Sequence, residues 1–550
     1  MKAIGKLLLS LSVLGMFVLC QPRQADAQDG YSTYEELTNQ LQDLESSYSS
    51  YANLQSLTTT LGDRKVWMLT LGSGDVKNHP AVAVIGGAKG SHLLGSELAL
   101  KFAENLLNQT SQDSIQQLLE STTFYVVPRL NPDAAEQLFA DLKYARDGNA
   151  KATDDDRDGP VNEDGFEDLN GDGLITMMRV KDQAGKWMPY SNDERVMVKA
   201  DINDGQRGSY QYYSEGRDND QDGKYNEDGE GGVNLNKNFT YDYPNFTPGA
   251  GEHMASEKEN RALMNFLYEK GKNVFAVMSF GPANNLSKPV KFNKGGVEKR
   301  VISSWFKEDV ALNKYISKMY KDELSLKDAP SAPAQPGDLF QWAYFHYGRF
   351  SFSTPGWWTP VVTDSADEKQ SFKNNKAEYL AWADQHDVDA FVEWTEVDHP
   401  DFPNKKVEVG GIKPGYMLNP PYEKVDSLAQ QHTDFITKLA EDHPDVKLIN
   451  FETESAGDNL TRISVDVYND GVFPTASKLG ERNRWVRKVK LSLTLGDGLS
   501  LVSGDRMRMI DSIAGDDDVK ASWLVRGDGD FTIEAGAPIT GFSTIEQTIN

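Results

Sequence analysis

The sequence predicts an α/β domain built on a parallel or mixed sheet with helices on both faces, followed by a C-terminal β-sandwich. Short apolar, β-branched runs alternate with segments of helical spacing in residues 28–444, as in strands joined by crossover helices. After residue 445, short alternating strands separated by Gly, Asp and Asn replace the helices. The chain of 550 residues is long enough for two such domains.

Each element is predicted from its local pattern. Helical spacing of leucines in the polar residues 28–53 indicates an edge helix. Residues 81–85 form an apolar run, Gly86 and Gly87 interrupt it, and residues 96–107 resume with helical spacing. The same criteria predict strands at 66–71, 123–127, 273–280, 447–454, 461–468, 487–495 and 522–525, and helices at 257–268, 297–326, 373–386 and 429–443.

The first 27 residues have the pattern of a signal peptide. Two lysines precede an apolar run at residues 7–20, and a small-x-small site follows at Ala25-Asp26-Ala27. We therefore expect an exported protein, periplasmic or secreted, with no membrane segment after cleavage, because no later apolar run approaches the ~20 residues of a spanning helix. The single cysteine, Cys20, would be removed, so the mature fold depends on its core and not on disulfides.

The formal net charge of −26 disfavours nucleic acid and anionic membranes as partners. Much of the acid is concentrated in a Gly-rich insertion at about residues 150–230. Three loops in it place oxygen side chains at alternate positions before Gly, which suits a hard cation with six to eight oxygen ligands, and calcium is the expected ion. A solvated acidic loop is the alternative. The candidate ligands are Asp154, Asp156, Asp158, Asp168, Asn170, Asp172, Asp218, Asp220 and Asp222.

The turn after residues 81–85 resembles that of the zinc carboxypeptidases, in which a His, two residues and a Glu precede a run like Gly95-Ser96-Glu97-Leu98-Ala99-Leu100. Asn131-Pro132-Asp133 after the next strand continues the resemblance, which covers residues 34–422. It implies a mixed, mostly parallel central sheet in residues 28–444, with residues 445–550 as the β-sandwich. A catalytic zinc and peptide hydrolysis are the activity that the resemblance implies.

The residues at the positions that carry this chemistry are different here. Aligning the flanks places Lys89 and His92 at the first two zinc ligands and Gly281 at the third, and Pro355 at the general-base Glu. A catalytic zinc needs three protein ligands from His, Cys, Asp or Glu. Only His92 is of a ligating type, so we do not expect these positions to bind zinc, and Pro355 cannot act as a base.

Positions that resemble the family's carboxylate-binding residues are better preserved. Asn236 matches an Asn that, with a following Arg, binds the C-terminal carboxylate of a peptide, and Lys237 replaces that Arg. Lysine keeps the positive charge but loses the planar fork of two donors. Arg146 stands near the family's oxyanion-stabilising Arg and is a candidate anion-binding residue without chemistry.

The sequence therefore supports three hypotheses about function. The first is an exported, catalytically inactive carboxypeptidase-like protein that binds peptide or cell-wall-peptide ends. The second is an active metallocarboxypeptidase whose atypical metal site is built on His92 with another histidine, such as His253 or His346. The third is a calcium-stabilised structural surface protein. The β-sandwich is expected to support the first domain, with glycan or partner binding as the alternative.

Overall fold

A computed structural model describes the chain from Gln28 to its end, with short gaps. The described residues are 28–154, 159–221, 223–226, 229, 232–361, 363–365, 368–369, 374–457, 459–483 and 485–550. The expected signal peptide lies outside them, as do three of the expected calcium ligands, Asp156, Asp158 and Asp222.

The described residues form ten α-helices and 22 β-strands. The helices are α1 Tyr34–Ser47, α2 Leu93–Asn108, α3 Asp113–Ser121, α4 Pro132–Ala135, α5 Lys258–Glu269, α6 Lys294–Val297, α7 Lys307–Glu323, α8 Leu339–Phe345, α9 Asn375–Gln385 and α10 Val425–Glu441. The strands are β1 Ala52–Thr59, β2 Lys65–Leu71, β3 Ala81–Ile85, β4 Thr123–Val127, β5 Met177–Lys181, β6 Trp187–Tyr190, β7 Asp193–Lys199, β8 Tyr210–Ser214, β9 Val274–Phe280, β10 Phe350–Thr354, β11 Thr363–Ser365, β12 Glu368–Lys369, β13 Phe391–Val397, β14 Val407–Ile412, β15 Val446–Gly457, β16 Leu460–Asn469, β17 Val489–Leu495, β18 Ser500–Ser503, β19 Met507–Ile510, β20 Asp517–Arg526, β21 Gly529–Ala537 and β22 Gly541–Ile549. None of these helices combines the length and apolar character that crossing a membrane requires.

The central sheet has the strand order β1-β2-β4-β3-β9-β10. Strands β4, β3, β9 and β10 are parallel to one another, whereas β2 pairs antiparallel with β4 and β1 pairs antiparallel with β2 at one edge. The four parallel strands are buried along their whole length because helices cover both faces. Val82 and Val84 pack on the α2 side, whereas Ala83 and Ile85 pack on the α5 and α8 side. The predicted mixed, mostly parallel sheet with helices on both faces is confirmed.

Part of the acidic insertion forms a second sheet, which the sequence analysis did not anticipate. Strands β5 to β8 pair antiparallel with β13 and β14 in the order β13-β14-β5-β8-β6-β7. One face of this sheet buries Met178, Val180, Val407 and Val409 in a small core of its own. Residues 177–214 of the insertion therefore form a folded sheet whose completion depends on a segment about 200 residues further along the chain.

The C-terminal domain is the predicted β-sandwich. Its two antiparallel sheets have the orders β15-β16-β20-β18 and β19-β17-β21-β22. Alternate residues of the strands face each other across the interior, including Ile463 and Val465 from one sheet and Leu491, Leu493 and Ile533 from the other.

Two predicted helices have different bounds in the structure. Residues 28–53 were expected to be one helix, but α1 ends at Ser47 and β1 follows almost at once. The helix expected at 297–326 is shorter in the structure: α6 ends at Val297, a break follows, and α7 begins only at Lys307. Trp305 lies in this break, where it stacks on Tyr344. Helical spacing of apolar residues continued across both breaks, so the pattern alone did not reveal them.

Candidate functional site

The candidate site lies where the four parallel strands of the central sheet end. The carboxyl ends of parallel strands share one edge of a sheet, which is where α/β proteins place their ligands. Hydrogen bonds connect the loops at this edge. The Gly281 amide donates to Thr354 O at 2.9 Å, and His92 Nε2 lies 3.0 Å from Pro355 O. The structure thus brings Lys89, His92, Gly281 and Pro355 into one neighbourhood, as the alignment implied.

Lys89 is bound by a carboxylate that the sequence analysis missed. Its Nζ forms an ion pair with Asp147, whose other oxygen accepts a hydrogen bond from Ser91 Oγ at 2.5 Å. Asn131 donates to the backbone carbonyl of Asp147 at 3.0 Å and fixes the loop. Asp147 is 58 residues from Lys89, so no local spacing pattern could indicate this pair.

His92 is buried and points into the protein. Its Nε2 must donate to the Pro355 carbonyl, because a carbonyl oxygen can only accept. Its Nδ1 lies against the first turn of α2, where a Cβ placed on Gly95 would lie 2.8 Å from it. Burial lowers the pKa of His92 to about 4, so the imidazole is neutral at ordinary pH. Both ring nitrogens thus face protein atoms.

Gly281 supplies no side chain to the site, although there is room for one. A Cβ at this position would meet only Ser353 Oγ, at 3.8 Å. An ammonium, a histidine with both nitrogens facing protein atoms and a glycine do not make a zinc donor set, so the residues do not fit the metal that the family implies. Among the described residues, no group of three or more His, Cys, Asp or Glu side chains is arranged to hold a metal ion.

The two histidines considered for a rebuilt site make other contacts. His253 is exposed, and its Nδ1 lies 3.0 Å from Met254 O. His346 Nδ1 lies 2.7 Å from Thr240 Oγ1. In the described part of the chain, neither belongs to a cluster of three possible metal ligands.

Arg146 lies in the same loop as Asp147 and binds its own backbone. Its Nε and Nη2 donate to the carbonyls of Gly148 and Asn149 at 3.0 and 2.6 Å. These bonds hold the loop against the segment that carries the other candidate residues, because Gly148 also pairs with Asn234. The guanidinium therefore has a structural role, and only its remaining donor atoms are available to an anion.

Asn236 and Lys237 lie in a short 3₁₀ turn just after Asn234. Asn236 is buried, and its Oδ1 accepts from the Leu339 amide at 3.2 Å. Lys237 Nζ makes one long contact of 3.3 Å with Pro248 O. Of the two, Lys237 keeps the more accessible donor.

The preserved flank around Glu97 has a structural role. Glu97 is buried in α2, where its Oε1 accepts from the Ser32 amide at 2.8 Å. Arg129 donates to Ser32 O at 2.7 Å and lies 4.0 Å from Glu97. Burial raises the pKa of Glu97, and the nearby Arg129 opposes that rise. This buried pair attaches the N-terminal segment to α2 beneath the candidate site.

Four large aromatic residues of the segment 340–360 belong to the core. Trp342, Tyr344, Trp357 and Trp358 are all buried among other apolar side chains. They position the loops of the site and do not line an open groove.

The three acidic loops share one turn. The first Asp of each loop accepts a hydrogen bond from the Gly amide five residues later: Asp154 from Gly159 at 3.1 Å, Asp168 from Gly173 at 2.7 Å and Asp218 from Gly223 at 3.0 Å. The repeat seen in the sequence is thus also a repeat of local structure. The described residues do not by themselves assemble a cation site there.

Comparison with known families finds one match in the first domain and one in the C-terminal domain. A family model described as zinc carboxypeptidase matches residues 37–171. Over these residues, about a quarter of the chain, the protein is similar to the zinc carboxypeptidase family. Residues 445–548 of the β-sandwich match a domain of unknown function, DUF8731.

Relatives of the carboxypeptidase-like domain are distant. Carboxypeptidase D of Homo sapiens is 31% identical over 111 residues, which are 20% of this chain and 8% of that protein. Carboxypeptidase E of Caenorhabditis elegans is 40% identical over 63 residues, 11% of this chain and 13% of that protein. A structure of carboxypeptidase A from Helicoverpa armigera has a TM-score of 0.39 at 13% identity, covering 67% of this chain and 75% of that one. The matched segments thus span less than a sixth of the length of these two sequence relatives.

Proposed function

We propose that this chain is an exported carboxypeptidase-like protein that has lost zinc and hydrolysis and binds the carboxyl ends of peptides or cell-wall peptides. The observation that carries the loss of zinc is the ion pair of Lys89 with Asp147. An ammonium at the first ligand position repels a divalent cation, and Asp147 holds that ammonium in place.

The loss of the general base supports the same proposal. Hydrolysis needs a group that removes a proton from the attacking water. At this position Pro355 offers only its backbone carbonyl, which accepts a hydrogen bond from His92. The family's reaction requires both a metal and a base, and this chain supplies neither at the aligned positions. The residues at these positions bind other protein groups instead: Lys89 binds Asp147, and His92 binds Pro355.

Binding of a peptide carboxylate is supported by the cations that remain near this edge of the sheet. Lys237 is the leading candidate because, within the described ranges, its ammonium makes a single long contact, to a backbone carbonyl. Arg146 and Asn236 contribute chiefly by holding the loops, since their described hydrogen bonds are to backbone atoms. A single flexible ammonium is expected to bind a carboxylate less tightly than the family's planar Arg.

Two measurements test the proposal. Elemental analysis of the purified mature protein is expected to find no stoichiometric zinc, and tightly bound zinc with chelator-sensitive peptide cleavage would establish the active-enzyme alternative instead. Isothermal titration is expected to show binding of peptides with a free C-terminus and not of the amidated peptides. The Lys237→Met variant should lose that preference, whereas exposed Lys318→Met on α7 should keep it. Equal absence of binding for both peptide forms would refute the peptide-end proposal.

Calcium binding by the acidic insertion is a separate proposal. Its support is the common turn that the three loops adopt and the excess of carboxylates that a cation would neutralise. If calcium stabilises the fold while no peptide binds, the structural-protein hypothesis is favoured.

A further inference from the structure

A cavity of about 370 Å³ lies on the face of the second sheet opposite its small core. Tyr212 and Ser214, two residues apart on β8, line it from the sheet. Its walls are mainly apolar and include Met177, Met197 and Ile412. The volume is within the range of small-molecule sites.

Three cations line this cavity, and two of them are paired. Arg195 is bound by Asp193 and Asp384, at 2.8 and 2.7 Å. Lys413 is bound by Asp389 at 2.8 Å. Lys376 has no carboxylate partner among the described residues. Its Nζ instead lies 5.9 Å from the centre of the Tyr212 ring.

The position of Lys376 disfavours its positive charge when no ligand is bound. Its side chain is partly buried, and burial lowers the pKa of its ammonium. It also occupies the first turn of α9, where the helix dipole disfavours a positive charge. Tyr212 adds a second polar group, because the described residues provide no hydrogen-bond partner for its hydroxyl. Burial raises the pKa of Tyr212 to about 12, so the hydroxyl remains a donor at neutral pH.

We propose that this cavity binds a small free monocarboxylic acid with an aliphatic or aromatic body, whose carboxylate is held by Lys376 and the Tyr212 hydroxyl. Lys376 is the one lining cation that has no carboxylate partner among the described residues, and it matches one negative charge. A phosphate or sulfate would bring a larger hydration cost into mainly apolar walls. The inference does not rest on the proposed binding of peptide ends, since none of the candidate residues for that function lines the cavity.

Titration calorimetry of the mature protein with octanoate and with 1-octanol tests the proposal. The two ligands share an apolar body and differ in charge, so octanoate should bind about 10- to 100-fold more tightly, as expected for a hydrogen bond to a charged group. An N-acetylated tetrapeptide with a free C-terminus distinguishes a small free acid from a peptide end. If it binds and octanoate does not, the assignment to free acids is overturned. Equal affinity for octanoate and octanol, or no binding of either, would also overturn it.

Variants locate the site. Lys376→Met should reduce octanoate affinity about 10- to 100-fold while leaving octanol affinity unchanged. The melting temperature of this variant should not fall, since the substitution removes a partly buried charge that has no carboxylate partner among the described residues. Lys376→Arg should retain most of the affinity. Ser214→Phe, which fills the cavity, should abolish binding of both ligands, and Lys318→Met on distant α7 should change neither. Unchanged octanoate affinity in Lys376→Met would refute the role of this lysine.

Discussion

The junction between the two domains contains a carboxylate whose protonation should control stability. Asp309 in α7 is buried, and its two oxygens accept from the Lys478 amide of the C-terminal domain at 3.0 and 3.1 Å. Its Oδ2 also accepts from the Tyr344 hydroxyl at 2.6 Å. Burial raises the pKa of Asp309 from 3.8 to about 6, although these hydrogen bonds oppose the rise.

The size and sign of the effect follow from that shift. One pKa unit corresponds to about 1.4 kcal/mol, so the shift of about two units is equivalent to about 3 kcal/mol. Because folded Asp309 binds its proton more tightly than unfolded Asp309, this contribution is fully present below about pH 4. It is lost as the pH rises through about 6.

Urea denaturation of the wild type and of Asp309→Asn between pH 4 and 8 measures this contribution. The wild type should lose about 3 kcal/mol more unfolding free energy than the variant between pH 4 and 7, since the amide does not titrate. Exposed Asp322→Asn in the same helix is the control and should follow the wild type. Parallel profiles for the wild type and Asp309→Asn would show that burial does not perturb this carboxyl, which would refute the reasoning.

Three further predictions concern the site and the insertion. Gly90→Ala should destabilise the protein by about 2 kcal/mol or more in urea denaturation, because its Cβ would lie 2.1 Å from Ala134 Cβ, whereas Gly281→Ala should change stability by less than about 1 kcal/mol. Equal losses of stability in the two variants would contradict the free space that the structure shows around Gly281. Asp147→Ala should lower the free energy of unfolding by about 2–3 kcal/mol in the same assay, since it removes the partner of Lys89 and leaves buried Ser91 without an acceptor. An unchanged free energy of unfolding would contradict the inference that Asp147 holds the Lys89 ammonium in place. Millimolar calcium should raise the melting temperature by a few degrees, reversibly with EDTA, and no shift would refute calcium binding.

The central sheet was predictable because its signals are local. Residues 81–85 and 123–127 are buried apolar runs that coincide with β3 and β4, and the glycines after the first run end it as expected. The flank of α2 was recognisable because the six residues that carry the resemblance, 95–100, are contiguous. Such features depend on a few neighbouring residues and on a burial pattern that the sequence displays directly.

The folded part of the insertion was not predictable in the same way. Its acidic loops dominate the composition, whereas β5 and β8 acquire their place by pairing with each other and with β14, which is distant in sequence. The role of Asp147 could not be predicted for the same reason. The sequence shows an acidic residue in a polar loop, and only the fold shows that Lys89 is its partner. The position of Lys376 in its cavity, with no carboxylate partner in the described part of the chain, is likewise a property of the assembled fold.

The sequence by itself determined the central sheet, the resemblance to zinc carboxypeptidases and the residue types at the positions aligned with the zinc ligands, because these depend on local patterns and side-chain identity. Only the tertiary structure decided that Lys89 is held by Asp147, that both nitrogens of His92 face protein atoms and that Arg146 is committed to its own loop. The physical reason is that hydrogen bonds and ion pairs depend on distance in space, and folding brings together groups that the chain keeps far apart.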